Sequence, residues 1–283
     1  MRKLLRAGFA RIRKSKVFWC GMLVLAALGL WFVLDNYRMS GSLEIPFPEL
    51  FAEIIFQQTI YMGIVFAVFC SLFTGTEYDN GTIRNKLMVG QPRTSIYLSN
   101  FVCCMTAGMI QAAVSVPVVL AAGFLLGGKP QMSVGHFLQV SVVALFVCMA
   151  YMSVYNLCSM LIASRSHATI VNILLAFSLL MLAAYLLSRL DAPEMVNNWS
   201  YTADGVLTAG DLVPNPSYIT GRKREIYQFL FDALPGGQNY LIANFGMHED
   251  LLRHPVLLCF YSSAITVITN VTGIFIFRRK DMK

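Results

Sequence analysis

The densest run of chemically able side chains in this sequence is Glu77-Tyr78-Asp79-Asn80-Gly81-Thr82-Ile83-Arg84-Asn85-Lys86-Leu87, followed by Gly90-Gln91-Pro92-Arg93. Asn80-Gly81 is a turn signal, and Thr82 is placed to cap a short helix behind it. On that helix Ile83 and Leu87 stand four apart, with Arg84 and Lys86 beside them. Such a helix presents apolar knobs and cations to a soluble partner. The same residues also fit a merely solvated loop. Glu77 would anchor the start of the run through hydrogen bonds or a cation. Gly81 would supply a backbone geometry that a side chain hinders.

The chemistry of bond making is missing. No GxxxxGK[ST] run cradles a phosphate, and Gly127-Gly128-Lys129-Pro130 has proline where the motif needs a hydroxyl. Neither GxSxG nor HExxH occurs, and no pair of carboxylates lies within an apolar segment. His248, Glu249, Asp250 and His254 are close in sequence, but their spacing fits no metal pattern. The seven cysteines all lie in apolar runs and read as small packing residues. The expectation is therefore no catalytic residue, no metal and no cofactor in this chain.

The elements around this run must be membrane helices. Of 283 residues, 57% are hydrophobic and 13% charged. A soluble domain carries about 25% charged residues, so lipid must be the solvent for much of this chain. A bilayer core takes about 20 apolar residues per helix. Six such runs are legible, at about 17–34, 59–74, 96–126, 137–162, 169–187 and 256–277. The third is long and contains Pro117, a kink signal. Residues 1–16 carry seven cations and no acid, with Leu5, Phe9 and Ile12 at helical spacing. That is a basic amphipathic helix suited to an anionic membrane surface. The fold class expected is all-α, one transmembrane domain over 1–283.

Charge sets the orientation. Six crossings place both ends of the chain on one side, together with the 75–95 loop and the 164–167 turn. That side gathers most of the cations, and its acids are only Glu77, Asp79 and Asp281. By the positive-inside rule it faces the cytoplasm, which leaves 189–255 as an extracellular loop. Within that loop 222–234 reads as a helix with an apolar stripe of Ile226, Phe229, Leu230, Ala233 and Leu234. It should lie on the membrane face or pack over the bundle. The net charge of +7 follows from the same asymmetry, so nucleic acid is not an expected partner.

Within the spans, a few polar residues either glue helices or line a substrate path. They are Gln111 and Ser115 in the third span, Tyr155, Asn156 and Ser159 in the fourth, and Thr266 and Asn270 in the sixth. The sixth also carries Ser262, Thr269 and Gly273 on one small, polar face. Proton-coupled carriers place ionisable groups at membrane depth, and the spans have essentially none.

From Phe73 to Arg93 the pattern F-x-G-x-E-Y-x-x-G-T-I-R-x-K-L-x-x-G-x-x-R resembles the signature of ABC-2 type permeases, the membrane subunits of ATP-binding-cassette transporters. The basic N-terminal helix and Leu234-Pro235-Gly236-Gly237-Gln238 before the last span are similar to that family too. The nearest likeness is to bacitracin- and lantibiotic-resistance permeases. The resemblance implies that the 75–95 loop contacts a separate ATPase, which holds the ATP and Mg. Glu77, Tyr78, Gly81, Thr82, Arg84 and Lys86 match the motif, with Ile83 and Leu87 between them. It also implies a second permease copy or paralogue, a bacterial cell membrane and export of a hydrophobic or amphipathic cargo such as an antimicrobial peptide. The alternatives are export of lipid, glycan or another drug, and a membrane scaffold or sensor that transports nothing.

Overall fold

The computed structural model describes residues 1–129, 132–201, 207–244 and 254–280. Six of its helices are long and apolar enough to cross a bilayer. They are α2 (Lys16–Leu43), α4 (Met62–Asp79) with the 3-10 turn Gln57–Tyr61 ahead of it, α6 (Arg93–Leu125), α7 (Val134–Leu161), α8 (Arg165–Leu190) and α11 (Pro255–Arg279). Each expected span is present, and α2, α4 and α8 extend a turn or more beyond the apolar run. Helices continue through the interfacial polar residues because intrahelical bonds keep satisfying the backbone there. The 33-residue α6 is about 50 Å long at 1.5 Å per residue, and Pro117 sits inside it without ending it.

The bundle is organised around α4 and α7. They are the most enclosed spans, and α8, α6 and α11 pack against them while α2 lies on α6. Phe66, Phe69, Cys70, Val147, Cys148, Tyr151 and Tyr155 fill the centre. Leu23 and Trp31 on α2, Leu174 and Met181 on α8, and Val267 and Val271 on α11 face outward. In lipid such residues need no protein cover, so these faces are the membrane belt.

The shorter elements collect at the two ends. One end, here the basic end, holds α1 (Arg2–Lys14), α5 (Thr82–Met88) and the residues after α11. α1 packs along α6 through Leu4, Leu5 and Ile12, while Phe9 of the expected apolar row faces outward. The opposite end holds α3 (Phe47–Ile54), a hairpin of β1 (Met195–Tyr201) and β2 (Leu207–Pro214), α9 (Gly221–Ala233) and α10 (Pro235–Ala243). The antiparallel hairpin runs from the pair Met195–Pro214 to Tyr201–Leu207, with an irregularity between Asn197 and Trp199. It is the one departure from an all-α fold among the described residues.

α9 packs over the bundle, one of the two placements expected, and Tyr227 and Phe231, outside the expected stripe, make much of the contact. Ile226, Phe229 and Leu230 face outward, at 49%, 54% and 37% exposure, and the buried side chain is Phe231. The helix carries a second apolar row at 227, 231 and 234, and that row meets the bundle. Phe229 meets Tyr261 edge-on, at 5.6 Å between ring centres. Of the sequence cluster His248, Glu249, Asp250 and His254, the first three lie outside the described residues. His254 precedes α11, and the described residues hold no group of metal-ligating side chains.

Candidate coupling site at the basic end of the bundle

α4 ends in the turn Asn80-Gly81, and α5 leaves it at once. Gly81 has φ +64, the left-handed conformation that glycine adopts at least cost. Thr82 does not cap α5, as its position suggested. Its hydroxyl instead donates back to the Glu77 carbonyl at 3.0 Å, tying the elbow to α4. Gly75, a turn before, lets α8 start against α4. A Cβ there would lie 2.7 Å from Arg165 Cγ and 3.0 Å from its Cα.

Glu77 is the hub of this elbow. Its side chain is 3% exposed. Oε1 accepts hydrogen bonds from Arg11 Nη1 of α1 and from Lys86 Nζ of α5, and Oε2 accepts one from Asn100 Nδ2 of α6 at 2.9 Å. Burying an isolated carboxylate costs several kcal/mol; two cations and an amide offset that cost. Arg11 is itself fixed, its Nη2 donating to the Phe73 carbonyl at 3.1 Å and its guanidinium 3.7 Å from the Phe73 ring centre. One carboxylate thus joins α1, α5 and α6 to α4.

Tyr78 does the same for two further helices, α7 and α11. Its hydroxyl donates to the Met160 carbonyl at the end of α7 and accepts from Lys280 Nζ at 3.2 Å, just past α11. Lys280 also reaches the Met160 carbonyl at 3.3 Å and lies 4.6 Å from the Tyr78 ring centre. Partial burial pulls the Lys280 ammonium below the ordinary lysine pKa. Arg93, at the start of α6, donates to the carbonyls of Phe277 and Arg278 at 3.1 and 3.2 Å and to that of Lys280. These are the carbonyls that a helix end leaves unpaired.

α5 itself is amphipathic in a different register from the one expected. Ile83 is 1% exposed and packs in a cluster with Ile96, Tyr97, Met160 and Phe277. Leu87 is half-buried against the same cluster, and Lys86 is spent on Glu77. So Ile83 and Lys86 hold the elbow to its own bundle and are not offered to a partner. With only seven residues, α5 turns one row inward. The row left outward is Arg84 and Met88, followed by Val89. Met88 and Val89 are 77% and 78% exposed.

The polar residues of the spans are enclosed, and two of them, Gln111 and Ser159, tie helices together through their side chains; Asn156 and the Tyr155 hydroxyl have no hydrogen-bond partner. Gln111 Nε2 donates to the Phe18 carbonyl of α2 at 2.9 Å. Ser159 accepts from Asn172 of α8 at 2.8 Å, and the Tyr155 carbonyl accepts from the same amide at 3.4 Å. Ser115 turns back onto Ala112, and Asn270 onto Thr266. Gln111, Ser115, Tyr155, Asn156 and Ser159 are all at most 1% exposed, and Asn270 is 8% exposed. Thr266 is half-buried and bonds to Ser262.

Arg11, Asn100, Met160 and Lys280 were not legible as members of the site. Asn100 carried a signal, since a polar amide beside an apolar span needs a reason. Arg11 stood among seven interchangeable cations, and Met160 acts through its carbonyl.

Six spans, with an elbow at the end of α4 joined by two ion pairs to α1 and α5 and by hydrogen bonds to α6, α7 and the end of α11, define a multi-pass membrane protein of transporter type. A family model described as ABC-2 family transporter protein matches residues 4–186, well over half of the sequence, and the chain belongs to that family. Compared with curated proteins, the chain matches none.

Proposed function

We propose that this chain is the permease subunit of an ATP-binding-cassette exporter, worked by a separate ATPase subunit that binds at α5. The observation that carries the reading is the Glu77–Tyr78 junction. A push on α5 reaches α1 and α6 through Glu77, and α7 and α11 through Tyr78. Exposed Met88 and Val89, with Arg84 beside them, give a partner something to hold. Ordinary burial of two such side chains contributes about 1.5–3 kcal/mol each. In this reading the basic end is cytoplasmic, as the positive-inside rule requires.

ATP and Mg belong to the partner, since the sequence holds no phosphate-binding loop. A working unit has two permease chains, identical or paralogous, and two ATPases. The cargo is hydrophobic or amphipathic. The resemblance to bacitracin- and lantibiotic-resistance permeases favours an antimicrobial peptide taken from the bacterial membrane.

Purification decides the reading. The chain should copurify with an ABC ATPase from its own cell. In proteoliposomes the pair should move cargo only with MgATP, and the chain alone should neither bind nor hydrolyse ATP. A chain that purifies without any ATPase and signals through a kinase instead would overturn it.

A further inference from the structure

α1 turns its apolar row toward the protein, not toward lipid. Leu5 and Ile12 pack on the main core, and Leu4 packs on the cluster around Ile83 and Ile96. Gly8 lies so close to α6 that a Cβ would come 2.3 Å from Cys103 Sγ. Arg11, beside this row, is held by Glu77 and by the Phe73 carbonyl.

What α1 leaves outward is a row of cations. Arg2, Arg6, Phe9 and Arg13 recur at spacings of four, three and four, which puts them on one helix face. All four are exposed, Phe9 at 40%, and so are Lys3 and Lys14 on the adjoining strip. Among the described residues the ion pairs are those of Arg11 and Lys86 with Glu77, so these five cations of α1 have no acidic partner there. The helix is about 20 Å long at 1.5 Å per residue. The screening length in about 0.1 M salt is about 10 Å, so neighbouring cations along the row repel one another.

The depth of this row is fixed by α2. A single residue, Ser15, separates α1 from that span. Trp19, 46% exposed in the first turn of α2, donates from its indole nitrogen to the Arg13 carbonyl at 3.0 Å. An exposed tryptophan at the end of a span marks the headgroup layer, so Arg13 lies in that layer. Phe9, one turn before Arg13, is an outward aromatic ring between arginines. That pairing suits the boundary between headgroups and acyl chains better than it suits an acidic protein surface.

We propose that the outward row of α1 is a docking surface for anionic phospholipid, and that lipid bound there sets how firmly α1 holds the α4–α5 elbow through Arg11 and Glu77. Lipid phosphates neutralise Arg2, Arg6 and Arg13, and the Phe9 ring enters the acyl boundary. With the repulsion relieved, α1 stays in its seat on α6 and Arg11 stays on Glu77. Among zwitterionic lipids the same charges push α1 off that seat, and the elbow loosens. Because the apolar row is already taken up by the bundle, the attraction is mainly electrostatic. It therefore follows the lipid charge of the membrane and does not anchor α1 permanently. The proposal concerns this chain alone and does not rest on the ATPase reading.

The test uses the purified full chain in nanodiscs, without any ATPase. The discs hold phosphatidylcholine alone or phosphatidylcholine mixed with phosphatidylglycerol. Hydrogen exchange of residues 2–14 and 82–89 is read by mass spectrometry, which reports local opening. Phosphatidylglycerol should slow exchange in both segments about fivefold or more, the effect of even one cation at an anionic surface. Raising salt from about 0.05 to about 0.5 M should remove most of that effect, as the screening length shortens. Arg2→Gln with Arg6→Gln and Arg13→Gln changes three side chains that make no hydrogen bond or ion pair among the described residues, so the variant should fold like the parent. Its exchange should be the same in both lipids. Arg11→Gln cuts the link to the elbow and leaves the outward row intact. In that variant residues 2–14 should still respond to lipid and residues 82–89 should not. Three results would overturn the proposal: a parent that exchanges alike in both lipids at low salt, a triple variant that still responds, or an Arg11→Gln chain whose residues 82–89 still respond. The first would leave the row to water or to an acidic protein, and the last would mean that α5 meets lipid by itself.

Discussion

Arg11 and Lys86, 75 positions apart in sequence, donate to the same oxygen, Oε1 of Glu77. The shared acceptor binds the basic N-terminal helix to the elbow helix, so the two cannot move independently without separating an ion pair. Removing the carboxylate leaves both cations, 32% and 21% exposed, beside an apolar wall. Breaking a buried ion pair by deleting one partner costs about 3–5 kcal/mol. Glu77→Ala should therefore lower the thermal midpoint of the detergent-purified chain by several degrees and free α1 to proteolysis. Arg11→Ala should cost less, because Lys86 still neutralises Glu77. Equal stability of Glu77→Ala and the parent would remove Glu77 from its place as hub.

Gly75 and Gly81 separate two uses of glycine six residues apart. Gly81→Ala meets no atom within 4 Å but keeps φ +64, so it costs about 1–2 kcal/mol of backbone strain. Gly75→Ala meets Arg165, including its Cα, and overpacking costs about 1–3 kcal/mol. The Gly75 penalty should shrink when Arg165 is cut to Gly, because Cγ and Cβ, 2.7 and 2.8 Å from the added Cβ, are both removed while the backbone stays. The Gly81 penalty should not respond. A double-mutant cycle on thermal midpoints reads the difference.

How much of this was legible follows from what each signal depends on. The spans were, because twenty apolar residues in a row have one stable solvent. The elbow was, because Asn80-Gly81 needs a turn wherever the rest of the chain goes. The inward face of α5 was not: Ile83 with Leu87 and Arg84 with Met88 are both four-residue rows, and only Tyr97, Met160 and Phe277 decide which turns in. α9 has apolar residues on two faces in the same way, so its sequence alone does not say which row meets the bundle. The hairpin was missed although Asp204-Gly205 between its strands is a hairpin turn signal, because Met195–Tyr201 and Leu207–Pro214 lack a regular apolar–polar alternation. The burial of α10 was not legible either, since nothing in Leu234-Pro235-Gly236-Gly237-Gln238 distinguishes a buried helix from a surface turn.

Asn172 decides whether the polar residues of the spans are glue. Its amide spans from α8 to Ser159 and Tyr155 of α7. Interhelical hydrogen bonds in membranes contribute about 0.6 kcal/mol on average and up to about 1.7. Asn172→Leu should lower stability by about that amount and leave cargo selectivity unchanged. A variant as stable as the parent but altered in which cargo it moves would return Ser159 and Tyr155 to a substrate path.

Orientation is tested by two exposed positions at opposite ends, Thr220 before α9 and Asn85 on α5. In intact cells a membrane-impermeant thiol reagent should label Thr220→Cys and not Asn85→Cys, with both labelled after lysis. The reverse pattern would place the cation-rich end outside and remove any intracellular partner from α5.

The last prediction concerns the two faces of α5, which fail in different ways. Ile83 is enclosed by Ile96, Tyr97, Met160 and Phe277, so Ile83→Asp buries a charge with no partner there. It should reduce the amount of folded chain recovered, and its loss of function would say nothing about docking. Ile83→Ala, which only removes volume, should cost about 2–5 kcal/mol. Met88 and Val89 touch little of their own chain, at 77% and 78% exposure. Met88→Asp with Val89→Asp should leave the thermal midpoint within about a degree of the parent, as surface changes do. The same pair should abolish copurification of the ATPase, because both apolar anchors become hydrated charges at the contact. Arg84→Ala should weaken it mildly and mainly at low salt, as an exposed ion pair does. If the Met88/Val89 double variant folds, binds the ATPase and exports normally, α5 is a solvated elbow and its only work is inside its own bundle.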